Sequence, residues 1–310
     1  MKNNIYDILE IIKKSENIAI AGHISPDADS LGSCFAMAYC LQKIGKNVSV
    51  LLNDFGNKYN VLPGFEFANK SINPDLFILM DCGDVNRVGN FLDLFKNTKS
   101  ILIDHHINTG FADFNFIDEK SSSTCEVLYN IITNLCELDS NIATCLYAGI
   151  VTDTSGFRNS TTSKTMQIAS ELLKYDFDSE NIYEVLMYKQ SLHQFQGFMS
   201  VVADFKIDIE ASIVYTIATK EKLENLNITK NDLDGIVNIF KRIHDIEVYC
   251  FAYELDNGAT KISLRSHNFD VNNIAKFFGG GGHKLASACI LNMSPNEAME
   301  KIIEKLKQIV

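Results

Sequence analysis

The residue pattern predicts an α/β protein of two units: an N-terminal parallel sheet flanked by helices, then a smaller mixed α/β unit. Three observations carry that expectation. Short apolar runs at Asn17–Ala21, Leu76–Met80 and Ile101–Ile103 alternate with helical spacing, as repeated βαβ units do. Each run ends in acidic or imidazole groups, and in an open sheet ligands bind outside the carboxyl ends of the strands. Beyond about residue 204 the strand-like segments adjoin one another through short turns. With 310 residues the chain is long enough for both units. We expect boundaries of 1–190 and 205–310, with 191–204 as a connecting helix or linker.

Taken in order, Ile5, Ile8, Leu9 and Ile12 have the spacing of a helix over Ile5–Lys14. The first strand, Ile18–Ala21, runs into Gly22-His23-Ile24-Ser25-Pro26-Asp27-Ala28-Asp29-Ser30. Pro26 and the small residues suit a tight turn into a helix that reaches Ile44. Asp27, Asp29 or Ser30 is a candidate N-cap, but a cap needs only one such group. Gly45 ends the helix and a strand follows at Asn47–Leu52. Leu76–Met80 closes on Asp81, and Ile101–Ile103 on Asp104-His105-His106. A short strand is expected near Phe114–Ile117. Ser123 and Glu126 form a capping box for a helix through about Leu135. The helix from about Asn141 ends at Thr152-Asp153, where the macrodipole disfavours an anion, so Asp153 calls for a cationic partner. Further helices are expected to about Lys174, over Asp178–Lys189 and near His193–Ala203.

In the second unit, Phe205–Ile209 and Ser212–Ala218 are expected as strands, followed by a helix over about Asp232–Ile243. Strands at Glu247–Glu254 and Lys261–Arg265, a helix at Val271–Phe278, a strand at Ala286–Leu291 and a closing helix from Pro295 complete it. Between the last strand and its preceding helix stands Gly279-Gly280-Gly281-Gly282-His283-Lys284.

Hydrophobic content of 46% and charged content of 22% are those of a soluble globular protein. No apolar run approaches the roughly 20 residues that span a bilayer, and Met1–Asp7 lacks a signal-peptide core. The eight cysteines (34, 40, 82, 125, 136, 145, 250, 289) form no Cys-x-x-Cys pair and fall in apolar patterns. They are expected as reduced core residues in a cytoplasmic protein. With 28 basic against 39 acidic side chains, net −11, tight binding of duplex DNA is not expected, while short anionic ligands remain suitable.

Two constellations carry chemistry. His23, Asp27, Asp29, Asp81, His105 and Asp153 offer four carboxylates and two imidazoles, a hard O/N set that suits Mn²⁺ or Mg²⁺. Six ligands exceed what one open catalytic ion needs and fit two ions, one carboxylate bridging. Two ions about 3.5–4 Å apart activate water and clamp both oxygens of a phosphoryl displacement. Asp104 fits as an acceptor that fixes a neighbouring imidazole's tautomer. In the second constellation, consecutive glycines offer N–H groups as an anion nest, beside His283 and Lys284. Arg265 offers a bidentate phosphate contact.

His23-x-x-x-Asp27-x-Asp29-Ser30, Asp81, Asp104-His105-His106 and Asp153 together resemble the motifs of the DHH phosphoesterase superfamily. Gly279–His283, with Leu264-Arg265-Ser266 upstream, resembles the C-terminal DHH-associated domain of its RecJ-like subfamily. The resemblance spans essentially the whole chain, and its length and plan are most similar to stand-alone nano-RNases, pAp phosphatases and dinucleotide phosphodiesterases. It implies a DHH catalytic domain, a substrate-binding domain and an active-site cleft between them. His23, Asp27 and Asp81 would hold one Mn²⁺, and Asp29, Asp81, His105 and Asp153 the other, with Mg²⁺ as substitute. Asp104 and His106 would be catalytic, His106 at the scissile phosphate or leaving group. Arg265, Ser266, Gly280, Gly281, Gly282, His283 and Arg158 would bind substrate. The substrates implied are oligoribonucleotides of two to five nucleotides, pApA, cyclic di-AMP and pAp; a homodimer is among the assemblies it allows.

Two alternatives accompany that reading. A DHH-type inorganic pyrophosphatase or exopolyphosphatase shares the catalytic half, but such pyrophosphatases carry a basic Ser-Arg-Lys-Lys-type run that is missing here. A non-catalytic nucleotide sensor requires a broken metal set, whereas every ligand is present.

Overall fold

The computed structural model describes residues 4–107, 110–233 and 235–308. Residues 1–3, read above for a leader, and Asp234 lie outside them. The chain divides into two compact units, 1–189 and 190–310.

The first unit runs α1 (Ile5–Lys14), β1 (Asn17–Ala21), α2 (Ala28–Lys43), β2 (Asn47–Leu51), β3 (Leu76–Met80), α3 (Leu92–Asn97), β4 (Ser100–Asp104) and β5 (Phe114–Ile117). Then come α4 (Thr124–Ile132), α5 (Ser140–Asp153), α6 (Ser163–Leu172) and α7 (Ser179–Met187). The five strands are all parallel, in the order β2-β1-β3-β4-β5. From β1 the chain steps outward to β2, then returns to the other side of β1 for β3. That reversal opens a crevice at the carboxyl ends of β1 and β3, the place where such sheets bind ligands.

Strand alternation covers both faces of this sheet, which explains the unbroken apolar runs. Ile18, Ile20, Ile78, Met80, Ile101 and Ile103 pack with α2, α4 and α5. Ala19, Ala21, Phe77, Leu79 and Leu102 pack on the other side with Val88 and Phe95. Helix α2 is buried continuously from Ala28 to Leu41, so it is a central element wrapped by others. Its closest neighbour is α5, and glycines let them approach. A Cβ on Gly32 would stand 2.5 Å from the Cys145 carbonyl oxygen. A Cβ on Gly149 would meet Cys125 Sγ at 2.3 Å and Asp29 Oδ1 at 2.6 Å.

The second unit runs α8 (Leu192–Ala203), β6 (Lys206–Asp208), β7 (Ile213–Ala218), α9 (Lys220–Asn225), α10 (Ile236–Ile239), β8 (Val248–Glu254) and β9 (Thr260–Ser266). It ends with α11 (Val271–Phe277), β10 (Gly281–His283), β11 (Ala286–Leu291) and α12 (Pro295–Lys307). Its sheet has the order β10-β11-β9-β8-β7-β6, parallel only between β7 and β8. Helices α11 and α12 pack on one face. Phe198 and Val201 of α8 pack with Ile236 and Val237 of α10 on the other. Helix α8 thus packs within the second unit, and Thr216 Oγ1 donates to its Val201 carbonyl at 2.6 Å.

Two segments differ from expectation. Instead of one helix over Asp232–Ile243, the described residues form a 3₁₀ turn at Lys230–Leu233 and the short α10. Gly235 between them has φ 75°, a left-handed conformation that a helix interior excludes. The glycine run is an edge strand more than an open nest. Gly280 N–H donates to Ala275 O at 2.8 Å, closing α11, and Gly281–His283 pair with β11. A Cβ on Gly280 would stand 2.1 Å from Ala288 O, so the close strand approach requires glycine there.

Among the described residues no helix is long and apolar enough to cross a membrane. The α2–α5 contact yields a stability prediction. Gly32→Ala forces a methyl against backbone rather than a flexible side chain, and such overpacking costs about 1–3 kcal/mol. Chemical denaturation should show that loss; an unchanged midpoint would mean the helices separate freely.

Candidate metal centre

Each donor is positioned by backbone geometry that the local sequence dictates. After β1, Gly22 leaves room for Ser30, whose Oγ accepts from His23 N–H at 3.3 Å. His23 Nδ1 lies 2.7 Å from the Ile24 carbonyl; with Nδ1–H donating there, Nε2 is left for the crevice. Asp27 is the N-cap of α2, its Oδ1 accepting from Asp29 N–H and Ser30 N–H at 3.0 Å each. The cap therefore uses one oxygen and leaves the other.

Asp29, in the first turn of α2, is 1% exposed. Its carboxylate lies at the N-terminus of α4, with Oδ2 accepting from Thr124 N–H at 2.7 Å and Oδ1 from Cys125 N–H at 2.9 Å. Helix N-termini favour anions because their first N–H groups are unpaired and the dipole is positive there. Ser123 caps that helix through Glu126 N–H at 3.0 Å.

Asp81, immediately after β3, has φ 54°, a strained conformation for a residue with a Cβ. Its N–H donates to Ile103 O at 3.0 Å, and Thr124 Oγ1 donates to its Oδ1 at 3.0 Å. Its two oxygens face different imidazoles. Oδ2 lies 3.5 Å from His23 Nε2, and Oδ1 lies 3.7 Å from His105 Nε2. His105 Nε2 also lies 3.2 Å from Asp153 Oδ2 at the end of α5.

Donor atoms of His23, Asp27 and Asp81 fall within 4.8 Å of one another, as do those of Asp29, His105 and Asp153. A third such group is Asp81, His105 and His106. Fully buried Asp104 accepts from His105 N–H at 2.8 Å and holds His106 Nδ1 at 2.8 Å. That hydrogen bond is the main cause raising the His106 pKa to about 9.

The electrostatics test whether divalent cations suit this set. Burial, then the charges of Asp29, Asp81 and Asp27, pushes the Asp153 carboxyl up to about 10. Burial and the Asp81 charge likewise raise Asp27 and, further, Asp29. Burial opposes ionisation of Asp81 too, but the His23 hydrogen bond and the nearby imidazoles hold its pKa low. Asp27, Asp29 and Asp153 are thus crowded against Asp81 with too little positive charge, on O and N donors that hard divalent ions prefer. The residues fit such ions.

The candidate binding residues divide. Register places His283 opposite Ala286, Ala286 opposite Arg265, and Arg265 opposite Tyr249, one row on one face of the second sheet. His283 and Arg265 are two strand spacings apart, about 10 Å, with only alanine between. Ser266 alternates onto the opposite face, is 3% exposed, and donates its hydroxyl proton to Phe269 O. The structure therefore does not bring Ser266 together with Arg265, because neighbouring residues of a strand point oppositely. Gly281 shares the His283 face, whereas Gly282 pairs with Ser287 on the other. Arg158 is exposed beyond α5, its charge felt at Tyr183.

Sequence reasoning missed Thr124 and Gly149. Thr124 supports two carboxylates at once, and Gly149 clears space beside Asp29. The Ser123–Glu126 capping box marked the helix start, but only the fold shows what it faces.

The sequence matches the DHH family, N-terminal domain, over residues 17–150 and the DHHA1 domain over residues 210–310. It is 30% identical over 324 residues to the bifunctional oligoribonuclease and PAP phosphatase NrnA of Mycoplasma genitalium, covering 100% of this chain and 99% of that one. The corresponding Bacillus subtilis protein is 27% identical over 291 residues, 91% of each chain. The crystal structure of an exopolyphosphatase-related protein from Bacteroides fragilis aligns with TM-score 0.88 and 28% identity, over 98% of this chain and 96% of that one.

Carboxyls with raised folded-state pKa values retain protons that the unfolded chain releases, so they make stability fall as pH rises. Raised His23 and His106 act with the same sign, their contribution being lost as pH passes their folded values. Chelator-treated protein should therefore lose stability between about pH 6 and pH 9, and added Mn²⁺ should flatten the curve. Denaturation midpoints that stay level in the metal-free protein would contradict the crowding.

Proposed function

The chain belongs to the DHH phosphoesterase superfamily, with a C-terminal DHHA1 domain, and on that premise we propose that it hydrolyses short nucleotides with two divalent cations. Its class is metal-dependent phosphoesterase. The substrates we propose are oligoribonucleotides of two to five nucleotides, pApA or cyclic di-AMP, and pAp. The names of the Mycoplasma genitalium and Bacillus subtilis relatives support that range.

The observation that carries the reading is the division of the Asp81 carboxylate between His23 and His105. It supports one set of His23, Asp27 and Asp81 and another of Asp29, His105, Asp153 and Asp81, with Asp81 common to both. When bound, Mn²⁺, or Mg²⁺ in its place, lowers the pKa of water and neutralises charge developing on the phosphoryl group. The remaining work falls to side chains. Asp104 fixes the His106 ring, and their hydrogen bond favours the protonated form of His106. It can give a proton to the departing oxygen from the ring nitrogen that Asp104 does not hold. Arg265 and His283 recognise the nucleotide, supported by their shared row.

Manganese-loaded protein assayed side by side on a short oligoribonucleotide, pAp, pApA and cyclic di-AMP should cleave at least one, and EDTA should abolish turnover until metal is restored. Asp81→Ala should lower the rate at least as much as Asp29→Ala, with native circular dichroism. Full turnover after verified metal removal would sink the proposal, and a near wild-type, natively folded Asp81→Ala would refute the shared ligand.

Recognition can be separated from hydrolysis. A charge-assisted contact contributes about 1.5–3 kcal/mol, so His283→Ala or Arg265→Ala should raise KM for nucleotides roughly ten- to hundredfold. Bis-p-nitrophenyl phosphate should be nearly unaffected. Equal losses on both substrates would assign these residues to supporting the fold or metal centre.

A further inference from the structure

The turn after β3 carries a cation that the metal donors leave unexplained. Arg87 Nη2 lies 2.9 Å from His23 Nδ1. The same Nδ1 is 2.7 Å from the Ile24 carbonyl. With Nε2 given to a metal ion, Nδ1 would carry the proton and donate to that carbonyl, leaving the guanidinium no acceptor in the ring. Among the described residues Arg87 forms no ion pair with a carboxylate. An arginine presents five donors in a planar fork matched to phosphate oxygens.

The loop holding it is fixed in advance. Ile24 N–H donates to Arg87 O at 2.7 Å, and Arg87 N–H donates to Asp84 O at 2.9 Å. Gly89 adopts φ 70° and ψ −134°, and a Cβ there would stand 2.3 Å from Ile24 Cγ2 and 2.9 Å from Asn53 Oδ1. Glycine thus lets this loop close onto the segment that carries His23. The Arg87 charge is felt at His23, Cys82 and His106, which places it beside the crevice.

Charge counting shows what it can do. Asp27, Asp29, Asp81 and Asp153 balance two divalent ions, so a phosphoryl group adds negative charge that those ions do not offset. We propose that Arg87 touches substrate, its fork donating to a non-bridging oxygen of the phosphoryl group held at the metal centre. The inference rests on the phosphoesterase reading and adds a residue to that site.

The competing role is structural, an arginine that merely props the His23 ring. Purified Arg87→Gln and Arg87→Lys are compared with wild type for Mn²⁺ stoichiometry and affinity, orthophosphate binding to the manganese-loaded protein, and kcat and KM on bis-p-nitrophenyl phosphate. Glutamine should leave manganese binding intact, weaken orthophosphate about ten- to hundredfold and lower kcat comparably, with lysine between. Lost manganese in both variants would assign Arg87 to holding His23 and overturn the proposal. So would unchanged orthophosphate binding in Arg87→Gln, or none in wild type. Orthophosphate binding needs no turnover. A wild type that binds it through Arg87 yet cleaves no nucleotide would remove the functional reading and keep this inference.

Discussion

Repulsion among Asp27, Asp29, Asp81 and Asp153 is the constraint to which the first unit is built. Two unit charges 4 Å apart at an effective dielectric constant near 20 interact by about 4 kcal/mol, so ionising all four together is opposed and Asp29 and Asp153 hold their protons. The fold answers with dipoles. The N-terminus of α4 donates two N–H groups to Asp29, Thr124 donates its hydroxyl to Asp81, and the start of α2 donates two N–H groups to Asp27. Dipoles orient the carboxylates without neutralising them. The raised Asp153 and Asp29 are the residue of that imbalance, and metal ions are the chemistry that removes it. A site designed this way stores destabilisation that a bound ion relieves, so its donors stay preorganised for it.

Most of this was legible in the sequence because parallel sheets write simply. Both faces are covered, so strands are continuous apolar runs, and their carboxyl ends point to one edge. Three runs ending at His23, Asp81 and Asp104 therefore mark one edge of the sheet in the sequence itself. Asp153 was legible for another reason, as an anion on the wrong end of a helix. What was not legible is the assignment of partners. Nothing in the spacing of Ser123, Thr124 and Glu126 says that this helix start meets Asp29, some 95 residues away in sequence. Nor does an isolated Gly149 reveal that its missing side chain accommodates a carboxylate on another helix.

In the second unit, strand geometry divides a motif that is contiguous in sequence. Leu264-Arg265-Ser266 reads as a cluster, yet a strand has period two, so Arg265 and Ser266 cannot serve one ligand from one face. Ser266 belongs with the face that α11 and α12 cover, where its hydroxyl ties down the turn at Phe269. The glycines have a comparable double reading. Gly279, with φ 75°, and Gly280, whose N–H returns to Ala275, end α11. Gly280 and Gly282 let β10 lie close on β11. The proposed recognition row is His283–Ala286–Arg265, with a small residue between two cation-capable side chains.

The charge balance bears on the short substrates proposed above. The chain has four arginines and a net charge of −11. An acidic protein cannot grip a polyanion by a broad basic surface, so phosphate recognition must come from a few placed cations. Arg87 and Arg265 are half of all its arginines, and neither sits in a carboxylate ion pair among the described residues. Their reach is local, because at physiological salt charges separated by more than about 8 Å of solvent are largely screened. For the short nucleotides proposed above, Arg87 is the cation beside the metal donors of the first unit. On that reading a longer strand would gain little, because a net charge of −11 opposes each added phosphate. The proposed preference for short substrates would then be electrostatic in part.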